Sequence, residues 1–274
     1  MEELRPAEEL RRHYELEKRL ASALRMAKSQ SERLKLYPKL YDELYREVPY
    51  LKTNPTTMDR VQLGATERLL KRFLHKDKVF LEIGAGNLAL SRRLAPKLKQ
   101  VFSLDVSKEF AMALGPLPKN ISLILSDGIS VPLGANTVDF AYSNQLMEHL
   151  HPEDAKAQLK NILRVLKPGG VYICNTPHRY NGPHDISQYF DQTATGFHLK
   201  EYTNAELASI MRQAGFGTIW SLTGVRGYVL PLPLFIVVAH ERLFARIPAK
   251  NRRYLANIQP FKALLGIRLV AKKP

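Results

Sequence analysis

Val79-Phe-Leu-Glu-Ile-Gly-Ala-Gly-Asn87 is the stretch that decides the fold. Its first five residues are an apolar run broken by one acid, the composition of a strand covered on both faces. Gly84 and Gly86 follow at once and permit a tight turn that lets a ligand approach the backbone closely. Leu88–Leu98 then reads as a helix. A strand, a glycine turn and a helix open a nucleotide-binding βα unit. The glycines alone do not choose the nucleotide. Dinucleotide enzymes add a third glycine, and Ala89 at that position is a residue their pattern tolerates.

Downstream, short apolar runs keep alternating with helical segments. Val101–Asp105, Ile121–Leu125, Thr137–Ser143, Val171–Asn175, Gly217–Thr223 and Leu264–Ala271 read as strands. Ser107–Leu114, Pro152–Leu166 and Asn204–Ala214 read as helices; Pro152 suits a first turn, Lys167-Pro-Gly-Gly170 is a stop and Gly215 a closing cap. This alternation implies right-handed crossovers and a mostly parallel sheet covered on both faces. Upstream, Leu16, Leu20, Leu24 and Ala27 recur at helical spacing, as do Tyr37, Leu40, Tyr41, Leu44, Tyr45 and Val48. Pro49 and Asn54-Pro55 end that pattern. Residues 1–55 are therefore expected to form a helical appendage or cap, and residues 56–274 the main domain, in which Thr56 or Thr57 caps a helix reaching about Leu74.

Composition limits the partners. The 274 residues carry 41 Lys and Arg against 26 Asp and Glu, a formal charge of +15, which favours anionic partners: nucleic acid, an acidic substrate or an acidic membrane surface. The single cysteine, Cys174, excludes an internal disulfide framework. The charged start, Met1-Glu-Glu-Leu-Arg-Pro6, is unlike a signal peptide, so a cytoplasmic location is expected. The apolar stretch Tyr228–Ala239 contains Pro231 and Pro233 and falls well short of the about 20 residues that a spanning helix needs.

In an open parallel sheet, ligands bind outside the carboxyl ends of the strands. Three successive strand ends here carry an acid. Glu82 stands where a cationic amino-acid group could be held, and Asp105 where a carboxylate can accept both ribose hydroxyls. In Ser126-Asp127-Gly128-Ile129, the acid can meet an adenine amino group and the isoleucine can cover the ring. An ammonium, a ribose and an adenine, with no phosphate, is the ligand that fits. With Leu81–Gly86, Leu104-Asp105, Ser126–Gly128, Val138–Ser143, Glu148-His-Leu150 and Leu166–Gly170, the chain over about residues 60–225 resembles the class I S-adenosylmethionine-dependent methyltransferases, particularly the type 11 small-molecule group. The resemblance implies a Rossmann-like three-layer α/β sandwich with a seven-stranded sheet of order 3-2-1-4-5-7-6, the last strand antiparallel. It implies S-adenosylmethionine as cofactor and S-adenosylhomocysteine as product. Gly84 and Gly86 would meet the methionine part, Asp105 the ribose, and Asp127 and Ile129 the adenine. Asn144 and Gln145 would floor the pocket beside the methyl group. Ala85, Asn87, Val106, Ser126 and Gly128 complete the candidate cofactor set.

The acceptor is less legible. Family members that methylate adenine or glutamine nitrogens carry an (Asn/Asp)-Pro-Pro-(Tyr/Phe) turn where this chain has Ser143-Asn-Gln-Leu146. Cytosine C5 chemistry needs a cysteine, and Cys174 lies inside an expected strand. A small-molecule acceptor, anionic or lipid-like and methylated at oxygen, is the reading that remains. An RNA methyltransferase and a cofactor-binding protein without turnover are the alternatives. The candidate base is His184, oriented by Asp185, in the loop 175–202, with His149 as the second catalytic candidate. No metal site is assigned. The Tyr37, Tyr41 and Tyr45 stripe reads as a helix on the outer layer or as an aromatic lid. Residues 228–262 read as a lid-like insertion whose apolar stretch and basic tail could meet an acidic membrane.

Overall fold

The computed structural model describes residues 5–53, 57–109, 115–225 and 228–274. The helix expected over 107–114 and the cap expected at Thr56 fall partly or wholly outside the described residues. The strands are β1 (Val79–Ile83), β2 (Gln100–Asp105), β3 (Ile121–Leu125), β4 (Val138–Asn144), β5 (Leu166–Thr176), β6 (Ile219–Val225), β7 (Tyr228–Pro233) and β8 (Ile267–Lys272). The described helices are α1 (Ala7–Met26), α2 (Gln30–Glu47), α3 (Tyr50–Thr53), α4 (Thr57–Leu70), α5 (Ala89–Leu94), α6 (Pro152–Val165), α7 (Asn204–Ala214), α8 (Leu234–Ala245), α9 (Ala249–Ala256) and α10 (Phe261–Leu265).

One sheet runs in the order β3-β2-β1-β4-β5-β8-β6-β7. β1 to β5 pair in parallel, and β8 enters antiparallel between β5 and β6. This is the expected Rossmann-like fold with one strand more than the seven expected. The extra strand is β7, which pairs antiparallel with β6 as a hairpin at the sheet edge. Pro231 and Pro233 fit there because the outer side of an edge strand needs no backbone donor. Three other boundaries move. The last strand starts at Ile267, because Phe261–Leu265 is helical. The helix expected to reach Leu98 breaks after Leu94 into a short 3-10 turn containing Pro96, which cannot donate the next helical hydrogen bond. β5 begins at Leu166 and runs through Lys167–Gly170, the two strands absorbing it by a register shift between Val138 and Phe140.

Alternating residues along each strand fill two cores. On one face Leu81, Ile83, Leu104, Ala141 and Tyr172 pack with Leu20, Tyr37, Leu40 and Leu44 of α1 and α2 and with α6 and α7. On the other face Phe80, Val101, Phe140 and Ile173 pack with Leu70 of α4 and Leu90 and Leu94 of α5. α7 ends on left-handed Gly215, as its sequence predicts, and starts at a full capping box between Thr203 and Glu206. α2 lies over the carboxyl ends of the strands. It is capped by Ser29 and tied down by a buried ion pair from Arg33 to Asp154.

Candidate active site

Three neighbouring hollows open at the carboxyl ends of β1, β2, β4 and β5. The first, about 110 Å³, lies under α2, with Tyr37, Tyr41 and Tyr45 facing Gly84, Gly86, Asp105 and Gly128. The second, about 190 Å³, brings Glu82, Ala85, Asn87 and Asn144 against Gln62 and Thr66 of α4. The third, about 420 Å³, is bounded by Asn144, Gln145, Asn175, Arg268, Tyr228 and Val229. Gly84 borders the first two, Asn144 the last two, and Gln145 the first and third, so the three adjoin along one grooved face.

The glycine turn is built for close approach. Gly84 (φ +72°) and Gly86 (φ +49°) adopt the left-handed conformation that suits glycine. Gly84 N–H donates to the Leu104 carbonyl at 2.8 Å, and Gly86 N–H donates to Asp105 Oδ2 at 2.7 Å. Asp105 Oδ1 accepts Ser107 N–H at 2.9 Å, so the carboxylate is held over the turn from both sides. Burial raises its pKa, against the pull of these backbone donors. Glu82 is buried behind the turn, where it accepts the Ser91 hydroxyl, and burial pushes its carboxyl up to about 7. Gly128 (φ +94°) meets α2 directly: a Cβ there would lie 3.1 Å from the Tyr37 ring.

Of the candidate cofactor residues, Gly84, Gly86, Asp105, Val106, Ser126, Gly128 and Gln145 line the first hollow, and Glu82, Ala85, Asn87 and Asn144 the second. Two do not line the groove. Asp127 turns onto its own loop, where Oδ1 accepts Ile129 N–H at 2.9 Å and Ser130 N–H at 2.7 Å, and Oδ2 accepts the Ser130 hydroxyl. Partial burial opposes ionisation there, but these donors prevail and hold the carboxyl below its ordinary range. Ile129 is buried in the core beside Val131. Tyr37, Tyr41 and Tyr45 form the aromatic wall that the sequence offered as an alternative to outer-layer packing. Arg268, Asn175, Gln62 and Thr66 escaped the sequence reading. They carry no motif, and only the sheet order and the position of α4 bring them to the groove.

The histidines separate clearly. His184 lines none of the three hollows. Its Nε2 lies 2.9 Å from Asn181 Oδ1 and 3.2 Å from the His178 carbonyl oxygen, and burial lowers its pKa. Asp185 does not orient it: Oδ1 accepts Ser187 N–H at 3.1 Å and Oδ2 accepts His198 N–H at 3.2 Å, closing the loop on itself. His149 does line the groove, with its ring edge-on to Tyr41 at 6.1 Å between centroids. Its Nδ1 donates to the Phe197 carbonyl at 3.0 Å. Burial, then the neighbouring His198, pushes it down to about 3, so the ring is neutral at ordinary pH and keeps an acceptor at Nε2. Glu148, His149 and His198 offer ligand atoms within 4.8 Å of one another, a grouping that could hold a metal ion. Hydrogen bonds from the Thr176 hydroxyl to Glu148 and between His198 Nδ1 and Glu201 already tie two of the three to other partners. Cys174 is buried, and burial pushes its thiol up to about 12, as expected of a packing residue.

The sequence profile of the methyltransferase domain matches residues 81–174, from β1 through β5. A probable S-adenosylmethionine-dependent methyltransferase of Mycolicibacterium smegmatis is 28% identical over 150 residues, covering 55% of this chain and 55% of that protein. A demethylmenaquinone methyltransferase of a Geobacillus species is 26% identical over 145 residues, covering 49% of this chain and 60% of that one. The chain thus spans little more than half the length of these curated relatives. Among solved structures, a didemethyltoxoflavin N1-methyltransferase of Burkholderia thailandensis, crystallised with S-adenosylhomocysteine, shares the fold at TM-score 0.56. It is 18% identical, with coverage of 90% of this chain and 91% of that one. Residues 81–174 thus match the methyltransferase domain family, and the chain is similar over about half its length to S-adenosylmethionine-dependent methyltransferases, whose fold it shares.

Proposed function

We propose that the protein transfers the methyl group of S-adenosylmethionine to an oxygen of a small-molecule acceptor. The observation that carries this reading is a pair of adjoining hollows: the one holding Glu82 shares Asn144, Gln62 and Thr66 with a larger one walled by Asn175, Tyr228 and Arg268. The residues present suit the cofactor. Asp105 offers carboxylate oxygens to a ribose diol, Glu82 a buried carboxylate to an ammonium, and Gly84 a cradle that a Cβ 3.2 Å from Leu146 would crowd. When bound, S-adenosylmethionine supplies an activated methyl group, so the protein's main task is alignment of a nucleophile. Asn144 and Gln145 stand where the hollows join, and Arg268 gives the third hollow a fixed positive charge for an acidic acceptor. His149 presents a neutral imidazole to the groove and can accept a hydrogen bond from an acceptor hydroxyl, orienting its oxygen.

His149→Ala is expected to lower kcat about 100-fold with cofactor affinity little changed, and His184→Ala to leave kcat within a few-fold. The assay follows label from S-adenosyl-[methyl-³H]methionine into organic-extractable, water-soluble and RNA pools. Label confined to RNA, or equal losses in the two variants, would remove this reading.

Glu82 makes cofactor binding pH-dependent. An ammonium beside it favours the ionised form, so binding pulls the carboxyl below about 7 and releases a proton. Affinity for S-adenosylhomocysteine is therefore expected to weaken as pH falls through 7, approaching about tenfold per pH unit toward pH 5.5. Calorimetry in buffers of different ionisation heats should show that proton leaving; a flat affinity with no proton exchange would separate Glu82 from the ligand.

A further inference from the structure

We propose that the insertion between β6 and β8 is a docking surface for an anionic bilayer. The decisive element is α8, which is apolar on both of its faces. Leu234, Val237 and Phe244 turn inward and are buried, with Glu241 among them. At 100° per residue, Phe235, Ile236, Ala239 and Leu243 share the opposite side, where Phe235 is 73% exposed and Leu243 60%. A helix that packs one face on a soluble core ordinarily shows polar residues on the other. Here the outer face holds two arginines, Arg242 and Arg246, beside its apolar residues.

The rest of the insertion agrees. Tyr228 and Leu230 on the edge strand β7 and Tyr254 on α9 are large, apolar-bodied and exposed. Residues 228–266 contain Arg242, Arg246, Lys250, Arg252, Arg253 and Lys262 but a single acid, Glu241. That acid is buried, with its carboxylate 2.8 Å from His178 Nε2 and accepting Ala205 N–H at 3.1 Å, so it neutralises nothing at the surface. An apolar face flanked by basic side chains is the pattern that seats in the headgroup region of an acidic membrane, without spanning it. No helix among the described residues is long and apolar enough to cross. A second copy of the chain fits the same face poorly, because it would set Arg242 and Arg246 against their own counterparts. Tyr228 and Val229 also wall the third hollow, which places the groove beside the docking face.

The test is co-sedimentation with phosphatidylcholine vesicles with and without phosphatidylglycerol. Binding is expected to the anionic vesicles only and to fall steeply with salt. Phe235→Ser with Leu243→Ser should weaken it on the order of 100-fold. Arg242→Gln with Arg246→Gln should weaken it on the order of 30-fold. All four side chains are exposed, so the variants should keep the wild-type circular dichroism and bind S-adenosylhomocysteine normally, which makes the readout independent of methyl transfer. Equal pelleting with neutral vesicles, or unchanged binding by the serine variant, would overturn the proposal. So would a dimer in solution that the serine variant dissolves without any vesicle binding by the parent.

Discussion

Asp105→Ala should weaken S-adenosylmethionine binding by at least about 100-fold, measured by titration calorimetry at neutral pH. A hydrogen bond to a charged group contributes about 1.5–3 kcal/mol, and a ribose diol can make two to this carboxylate. The carboxylate is also positioned before any ligand arrives. Gly86 N–H holds Oδ2 at 2.7 Å and Ser107 N–H holds Oδ1 at 2.9 Å, so little ordering remains to be done on binding. The alanine variant loses the acceptors and also frees the Gly86 N–H that shapes the turn. Asp105→Asn keeps the volume and one acceptor oxygen and should fall between the two. Asp127→Ala is the informative contrast. Its carboxylate already accepts three hydrogen bonds from its own loop, so its loss should act only through loop order and cost less than about tenfold. Comparable losses in the two alanine variants would mean that the adenosine is held by a different set of groups.

That contrast marks where the sequence was legible. The order of the sheet was readable because each strand is a short apolar run closed by a turn signal, and the parallel crossovers leave few topologies. The positions of Gly84, Gly86 and Asp105 at the groove were readable because a strand end fixes where the next residue stands. Asp127 and Ile129 also follow a strand end, but three residues of loop were enough for the acid to cap its own turn and the isoleucine to sink into the core. His184 lies off the groove for a similar reason. The loop 175–202 does leave the correct end of β5, yet its polar groups satisfy one another. His149, in a short 3-10 turn five residues past the end of β4, stays at the groove wall. β7 was hidden because Tyr228–Ala239 reads as one apolar stretch carrying Pro231 and Pro233, and only a place at the sheet edge makes two prolines tolerable in a strand. The choice between the two roles open to α2 could not be made from its own spacing. A tyrosine stripe at helical period packs equally well on a sheet or over a pocket, and the choice is made by Asp154, more than a hundred residues away.

Breaking that tether should therefore have the largest effect on stability of any single surface-helix change: Arg33→Ala is expected to cost about 3–5 kcal/mol in chemical denaturation. Arg33 Nε lies 2.6 Å from Asp154 Oδ2, and Nη2 lies 2.8 Å from Oδ1 and 2.8 Å from Glu153, in a fork that one carboxylate fills. Asp154 is wholly buried, so removing the guanidinium leaves a carboxylate with only the Tyr37 hydroxyl at 2.9 Å, Gln30 at 3.2 Å and the start of α6 for compensation. Burial works against its ionised form, and Arg33 is the foremost group that holds its pKa below the ordinary range. The sign follows from that depression. The pair stabilises the fold above the unfolded carboxylate value of about 3.9 and loses that contribution as pH falls through the lower folded value. In the variant the buried acid has no such support, so the gap between variant and parent should narrow in acid. Arg19→Ala, which removes an exposed partner of Glu43, should cost less than about 1 kcal/mol and serves as the control. The same cut should reach the groove. Tyr37 bridges Asp154 and the His151 amide at 2.9 Å each, and its ring rests on Gly128, so loosening it should expose α1 and α2 to protease and weaken cofactor binding together. A variant within 1 kcal/mol of the parent, or a gap unchanged in acid, would show that α2 is held by its apolar face alone.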